Sequence, residues 1–151
     1  MNLVRRSEVV PYSARQMYDL VNDVPAYPLF LPWCRSAVVH EAERDEMVAT
    51  LELAVGGFHK RFTTRNQLTP GRQIELHLVR GPFRHFSGVW RFDDLPPAAD
   101  RETASSVSLA IDFDLESRLL QMVAGAALQR VADGLVAAFR QRAGTCYDQA
   151  G

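Results

Sequence analysis

Hydrophobic and polar residues alternate along most of the first three quarters of the chain, which is the pattern of strands with one buried face. It predicts seven strands, at about residues 3–10, 36–43, 47–55, 58–68, 74–78, 86–92 and 107–113. Gly56 and Gly57 predict a two-residue hairpin turn, because glycine tolerates the positive φ angles that such a turn requires. Ser13 and Gln16 have the spacing of a capping box, which predicts a short helix through Val21.

The spacing of apolar residues lengthens to three and four after about residue 115, as on one face of a helix. It predicts one long helix over residues 117–143, with its core stripe at Leu120, Ala124, Ala127, Leu128, Val131, Leu135 and Phe139. The order of elements is a strand, two short helices, six antiparallel strands and a long helix. This order predicts a single α+β domain over residues 1–151, a helix-grip fold in which a curved antiparallel sheet wraps around the long C-terminal helix.

Small residues occupy the middle of the predicted helix, at Ala124-Gly125-Ala126-Ala127. Two interpretations remain open, since small residues either let the backbones pack closely or leave space for a guest molecule. A single helix has few side chains with which to fill the concave face of a curved sheet. We therefore favour an apolar cavity, the usual setting of a small-molecule site.

Composition fits an ordinary globular protein of 151 residues, with 47% hydrophobic residues and a net charge of −1. The two cysteines, Cys34 and Cys146, are far apart and form no CxxC pair, so we expect reduced thiols in a cytoplasmic protein. The N-terminus has no apolar run of the signal-peptide kind, and no apolar stretch reaches the ~18 residues of a membrane span.

Catalytic chemistry finds little support in the sequence. The four histidines have no metal-binding spacing, and no histidine is placed by sequence to activate Cys34 as a nucleophile. There is also no glycine-rich phosphate loop. We predict a protein without catalytic residues, without a metal and without a required cofactor.

Several ordered stretches of the chain resemble the START-like family that contains the coenzyme Q-binding proteins and the bacterial ribosome association toxins. They are residues 10–14 (VPYSA), 16–24 (QMYDLVNDV), 30–34 (FLPWC), 62–69 (FTTRNQLT), 78–83 (LVRGPF) and 88–92 (GVWRF). The resemblance extends from about residue 3 to residue 147, and the stretch at 63–68 (TTRNQL) is nearer to the bacterial branch.

The resemblance implies a START-like fold and leaves three functions open. The first is binding of ubiquinone or a related polyprenyl quinone in support of respiration. The second is interference with the joining of ribosomal subunits, and the third is a polyketide cyclase-like activity. The implied partners are a hydrophobic small molecule, a ribosomal subunit, an anionic membrane surface contacted transiently at the inner membrane, and an antitoxin protein.

A ligand-binding set follows from the apolar pattern together with the resemblance. It comprises Phe30, Leu31, Trp33, Leu53, Phe62, Phe83, Phe86, Trp90, Val123 and Ala127. The segment 27–33, rich in aromatic residues and proline, is either a core plug or a gate or wall of the cavity. We favour the second interpretation, because Tyr and Trp suit sites with one wet and one apolar side.

A basic bias marks residues 59–91, which contain seven lysines and arginines and one acid, Glu75. Alternation places Arg61, Arg65 and Arg91 on the outer surface of the sheet. Together with Lys60 they are our predicted anionic-surface-binding residues, which would contact phosphates of ribosomal RNA or of lipid headgroups. The alternative is a solvated face without a partner.

Overall fold

The computed structural model describes residues 2–148 and contains one sheet of seven antiparallel strands. The strands are β1 Asn2–Val10, β2 Cys34–Ala42, β3 Glu46–Val55, β4 Phe58–Thr69, β5 Gln73–Arg80, β6 Phe83–Asp94 and β7 Ser105–Leu115. Their spatial order is β1-β7-β6-β5-β4-β3-β2, so every strand except β1 lies beside a strand that adjoins it in sequence. The seven predicted strands are confirmed.

The helices are α1 Ala14–Asn22, a 3₁₀ helix Val24–Leu29, α2 Arg118–Asp133 and α3 Leu135–Tyr147. The predicted capping box is present at the start of α1. Gln16 donates its backbone N–H to Ser13 Oγ at 3.0 Å, and Ser13 donates its own to Gln16 Oε1 at 2.8 Å. The helices pack against one face of the sheet, and the α+β helix-grip architecture is confirmed.

Alternation decides which side chains of each strand meet the core. In β7 every second residue from Ser105 to Leu115 is buried, while the residues between them are partly exposed. The hairpin between β3 and β4 turns at Gly56 and Gly57, whose φ angles are 51° and 85°, as the glycine pair predicts. The buried face holds the hydrophobic core together with the helices.

The C-terminal helix is not one straight rod, as the sequence predicts, but two helices that meet at a 45° bend. Glycine at 134 ends α2, and its N–H is shared between the carbonyls of Arg130 and Val131 at 3.1 and 3.2 Å. The second helix also continues past the predicted end at residue 143. Its last residue, Tyr147, donates its hydroxyl to the carbonyl of Gln16 at 3.0 Å. Within residues 2–148 no single helix is long and apolar enough to cross a membrane, although α2 and α3 taken together meet that test of length and composition.

Close packing, rather than a cavity, explains Ala124 and Gly125 among the small residues at the middle of α2. Ala124 is 1% exposed and Gly125 is buried, in the helix that contacts β1 and β7. Gln121 lies across Gly125 where a β-carbon would stand, and it accepts a hydrogen bond from Asn2 Nδ2 at 3.1 Å. Here the close-packing interpretation is correct, and the cavity lies elsewhere.

Candidate functional site: an apolar cavity between the sheet and the C-terminal helices

A cavity of about 120 Å³ lies between the concave face of the sheet and the two C-terminal helices. Strands β3 to β7, α1, the 3₁₀ helix, α2 and α3 all contribute to its wall, and it is not sealed from solvent. Most of its lining is apolar, and the aromatic members are Tyr27, Trp33, Phe62, Phe83, Phe86, Trp90, Phe113 and Phe139.

Three phenylalanine rings form a cluster at the end of the cavity where β4 and β6 begin. The ring centres of Phe62 and Phe83 are 5.5 Å apart, those of Phe62 and Phe86 5.4 Å, and those of Phe83 and Phe86 5.2 Å. Rings at these distances and at tilted angles attract one another beyond the burial of their area. The cluster therefore holds this part of the wall in a defined shape.

A glycine lets the turn between β5 and β6 pack directly onto this cluster. A β-carbon on Gly81 would lie 2.5 Å from Phe62 Cβ and 3.2 Å from its Cα. Such a contact cannot be relieved by rotating a side chain, because the atoms in the way belong to the backbone of β4 or adjoin it. The Gly81-Pro82 turn is thus part of what positions Phe62.

A second aromatic group forms the opposite part of the wall. Trp90 is 3% exposed, stacks on Phe92 at 6.1 Å and meets Phe139 of α3 edge-on at 5.4 Å. Tyr27 also meets Phe139, at 5.4 Å, and donates its hydroxyl to the carbonyl of Val21. Burial raises the pKa of Tyr27, so this wall stays uncharged at neutral pH.

Six of the ten predicted ligand-binding residues line the cavity: Trp33, Leu53, Phe62, Phe83, Phe86 and Trp90. Phe30 and Leu31 do not. Leu31 is 1% exposed in the core, and the Phe30 ring packs on Phe139 at 5.3 Å with the Arg142 guanidinium 5.0 Å above it. The segment 27–33 therefore contributes wall residues at its two ends and structural contacts in its middle.

Val123 and Ala127 are not among the lining residues, and Val123 is 60% exposed. The reason is the phase of α2, which turns Ala124 and Leu128 towards the sheet. The helical wall instead begins at Leu128 and continues through Val131, Ala132 and Leu135. The predicted wall residues lie about one turn too close to the N-terminus of α2, because the cavity is next to the part of the helix that approaches the bend.

Polar residues of the wall are missing from the predicted set. Thr64 and Asn66 of β4 line the cavity and are 8% and 5% exposed, and Asn22 at the end of α1 joins them. Thr64 Oγ1 donates to Asn66 Oδ1 at 2.8 Å. The signal was available in the sequence, since alternation puts residues 62, 64 and 66 on one face and Phe62 was already assigned to the interior.

Cys34 is buried at 3% exposure, and its Sγ donates to the carbonyl of Ser36 at 3.3 Å. Burial, assisted by the Glu52 carboxylate, raises the pKa of the Cys34 thiol to about 11, so the thiol stays protonated and is a poor nucleophile at neutral pH. Across residues 2–148 no three His, Cys, Asp or Glu side chains come together in a way that could hold a metal ion.

The predicted anionic-surface residues do not form one patch. Arg61, Arg65 and Arg91 are exposed on the outer face. Arg91 of β6 pairs with Gln73 of β5, which pairs in turn with Thr69 of β4, so Arg91 is at the level of Thr69 in the sheet. Arg61 is therefore roughly 27 Å from Arg91 along the strand direction, at about 3.4 Å per residue. Lys60 lies on the other face of β4, because neighbouring residues of a strand point to opposite sides.

Acidic residues from neighbouring strands also offset the basic bias. Arg65 forms an ion pair with Glu46 of β3, and Arg61 lies opposite Glu52 of the same strand. Hydrogen bonds from Ser36 and His59 hold the pKa of Glu52 below its ordinary value, so that carboxylate is charged at neutral pH. The outer face carries mixed charge, although the sequence between 59 and 91 is predominantly basic.

Comparison with known proteins agrees with this architecture. Residues 10–140 match the model of the family described as polyketide cyclase / dehydrase and lipid transport. The chain belongs to this family. The ribosome association toxin RatA of Pseudomonas aeruginosa is 42% identical over 144 residues, which cover 95% of this chain and 96% of that protein.

A second relative comes from the coenzyme Q branch of the family. The mitochondrial coenzyme Q-binding protein COQ10 homolog B of Xenopus laevis is 30% identical over 142 residues, 93% of this chain and 57% of that protein. Among solved structures, the ZhuI aromatase/cyclase of Streptomyces sp. R1128 superposes with a TM-score of 0.76 at 20% identity, covering 99% of this chain and 97% of that one. The fold is that of START superfamily proteins, as the resemblance implied.

Proposed function

We propose that this protein is a non-enzymatic carrier that binds an apolar ring-bearing ligand, a polyprenyl quinone of the ubiquinone type, in the cavity between the sheet and α2–α3. The observation that carries the proposal is the cavity itself, walled by two aromatic groups and open to solvent. A cavity of this kind at the concave face is the natural position for an apolar ligand.

Volume limits how much of such a ligand is enclosed. The cavity measures about 120 Å³, and an engineered cavity of about 150 Å³ binds benzene. One substituted ring therefore fills the space, while an isoprenoid tail extends through the open side. The walls offer several ring faces and edges for a flat headgroup, as at Phe62, Phe86 and Trp90.

The chemistry of the wall supports binding rather than catalysis. Tyr27 is the one ionisable side chain among the lining residues that the structure describes, and its pKa is raised. A general acid or base works best with a pKa near the working pH, which a buried tyrosine does not have. The fold shared with an aromatase/cyclase does not supply the missing groups, because fold does not determine function.

The experiment is a titration of the purified protein with a short-chain ubiquinone, with mass spectrometry of an organic extract of the native protein. Ala132→Leu places three further carbons in the cavity from a residue that is 5% exposed. We expect at least tenfold weaker binding than in the wild type. Ala126→Leu, on the exposed side of the same helix, is the matched control and should bind normally.

Thermal melts of both variants check that the fold survives. An extract without lipid, combined with no binding by the wild type, would contradict the proposed function. Unchanged affinity in a folded Ala132→Leu variant would contradict the assignment of binding to this cavity.

A second candidate is association with ribosomal subunits. Its support is the relative named as a ribosome association toxin, at 42% identity over nearly the full length of both chains. Such a function would use the surface, in a cytoplasmic protein, and an antitoxin protein could be a further partner. It is compatible with a filled cavity, since the exposed cations and the cavity lie on different parts of the molecule.

A further inference from the structure

Two polar residues interrupt the apolar wall on the inner face of β4. Thr64 and Asn66 are 8% and 5% exposed, and the wall around them includes Phe62, Ile74 and Trp90. Buried polar groups are hydrogen-bonded in most proteins, so an incomplete set of bonds at such a position calls for an explanation.

The Asn66 amide is only half satisfied. Thr64 Oγ1 donates to its Oδ1 at 2.8 Å, which fixes the orientation of the amide. Its Nδ2 donates to no protein atom within residues 2–148, and it is not fully enclosed, so it is accessible from the unsealed cavity. An amide nitrogen carries two N–H donors, and an apolar guest that displaces water from the cavity leaves them unpaired at a cost in free energy.

We propose that Asn66 Nδ2, oriented by Thr64, donates a hydrogen bond to a carbonyl oxygen of the bound ring. The site then selects a flat apolar ring that bears a carbonyl over an equally large hydrocarbon ring. This proposal rests on the proposed function and adds to it the position of the ligand's oxygen, beside the middle of β4.

Selectivity of this kind follows from the cost of unpaired groups. A ligand oxygen gives the amide a partner in place of water, whereas a hydrocarbon of the same shape excludes water and leaves the donors buried and unpaired. The Tyr27 hydroxyl is already used by the Val21 carbonyl, so it does not duplicate the role of Asn66.

The test compares duroquinone, a fully methylated benzoquinone, with durene, its hydrocarbon counterpart. Both are single rings, and duroquinone has no free ring position to which the exposed Cys146 thiol could add. We expect the wild type to bind duroquinone about tenfold more tightly than durene, measured by calorimetry or by quenching of tryptophan fluorescence. Asn66→Leu should abolish this preference while durene binding is retained.

Two further variants keep the test decisive. Thr64→Val combined with Asn66→Leu removes both polar partners, which protects the fold against a new unpaired hydroxyl. Gln67→Leu changes the neighbouring residue on the exposed face and should keep the preference. Equal binding of the two rings by the wild type, or an unchanged ratio in a folded Asn66→Leu variant, would overturn this proposal and leave the proposed function standing. If the wild type binds neither ring, this proposal fails, and the proposed function fails with it only if short-chain ubiquinone is not bound either and the extract contains no lipid.

Discussion

The two faces of β4 behave differently, although their residues alternate along one strand. On the inner face Phe62, Thr64 and Asn66 all line the same cavity. On the outer face Arg61 and Arg65 are separated and accompanied by glutamates of β3. The concave side of a curved sheet brings side chains from distant strands together, and the convex side spreads them apart.

The comparison has an energetic counterpart. Side chains of the inner face leave water on folding, so their contacts depend on packing and on complete hydrogen bonding. Side chains of the outer face remain hydrated, and exposed ion pairs such as Arg65–Glu46 contribute little to stability. Substitutions on the inner face should therefore change stability and ligand binding, and substitutions on the outer face should change association with charged partners.

The largest difference in the free energy of unfolding is expected between substitutions at two adjacent residues of β4. Phe62→Ala removes a ring that is 9% exposed and packs on Phe83 and Phe86, so it should lower the free energy of unfolding by about 3–5 kcal/mol. Arg61→Ala changes an exposed residue and should stay within about 0.5 kcal/mol of the wild type. Urea denaturation of the two variants measures both values.

The result also tests the cavity. Because Phe62 faces open space on one side, a loss well below 3 kcal/mol would mean that the wall relaxes into the cavity when the ring is removed. A loss of similar size for Arg61→Ala would contradict the assignment of that residue to a hydrated face.

The next effect concerns the two thiols. Burial raises the pKa of Cys34 from 9.0 to about 11, whereas Cys146 is exposed. At pH 8 about one Cys34 side chain in a thousand is a thiolate, so alkylation should be at least ~100-fold slower than at Cys146 and should rise about tenfold per pH unit. Rates measured on Cys146→Ser and Cys34→Ser separate the two sites.

The same pKa predicts a change in stability with pH. Between pH 9 and about 11 the unfolded chain has lost the Cys34 proton while the folded protein retains it, so stability should fall as pH rises through this window. Cys34→Ser should remove that part of the pH dependence. Rapid labelling of Cys34 at pH 8 in the folded protein would show that the start of β2 opens.

The order of the strands and the inner face of each were predictable, because alternation is a local property of the sequence. It placed Leu53, Phe62, Phe86 and Trp90 on the inner face, whereas Trp33 and Phe83 were included because of the resemblance; the same rule applied to Thr64 and Asn66 finds the polar part of the wall. The bend at Gly134 was not predictable from spacing. The helical wall consists of Leu128, Val131, Ala132 and Leu135 rather than Val123 and Ala127, because the phase of α2 turns the latter two away and the cavity lies next to the bend.

The charge of the outer face differs from that of the stretch 59–91 for a related reason. Counting residues between 59 and 91 leaves out Glu46 and Glu52, which precede that range in sequence and lie beside Arg65 and Arg61 in the sheet. Net charge over a stretch of sequence describes a surface only when the neighbouring strands belong to the same stretch.

The smallest effect is expected for association through the surface. Arg61 at the beginning of β4 and Arg84 at the beginning of β6 are exposed at the same end of the sheet. Neither is within ion-pair distance of a carboxylate in residues 2–148, although Glu52 lies opposite Arg61 and Arg84 acts on Asp114. If this end contacts phosphates, Arg61→Glu combined with Arg84→Glu should weaken co-sedimentation with ribosomal subunits about tenfold at moderate salt. The slope of log affinity against log salt should decrease by about 2, since each phosphate contact releases roughly one counterion.

The controls for this last experiment come from the same outer face. Arg91→Glu reverses a cation at the far end of the sheet, and Arg65→Glu one that is already paired with Glu46, so both should affect association less than the double variant. Binding of duroquinone should be unchanged in all three, because Arg61, Arg65, Arg84 and Arg91 are not lining residues of the cavity. Vesicles containing anionic lipid, offered in parallel, distinguish a membrane surface from ribosomal RNA as the source of the phosphates. Equal association of all variants with both targets would mean that the arginines of this face are only solvated, and that any ribosome contact lies on another part of the molecule.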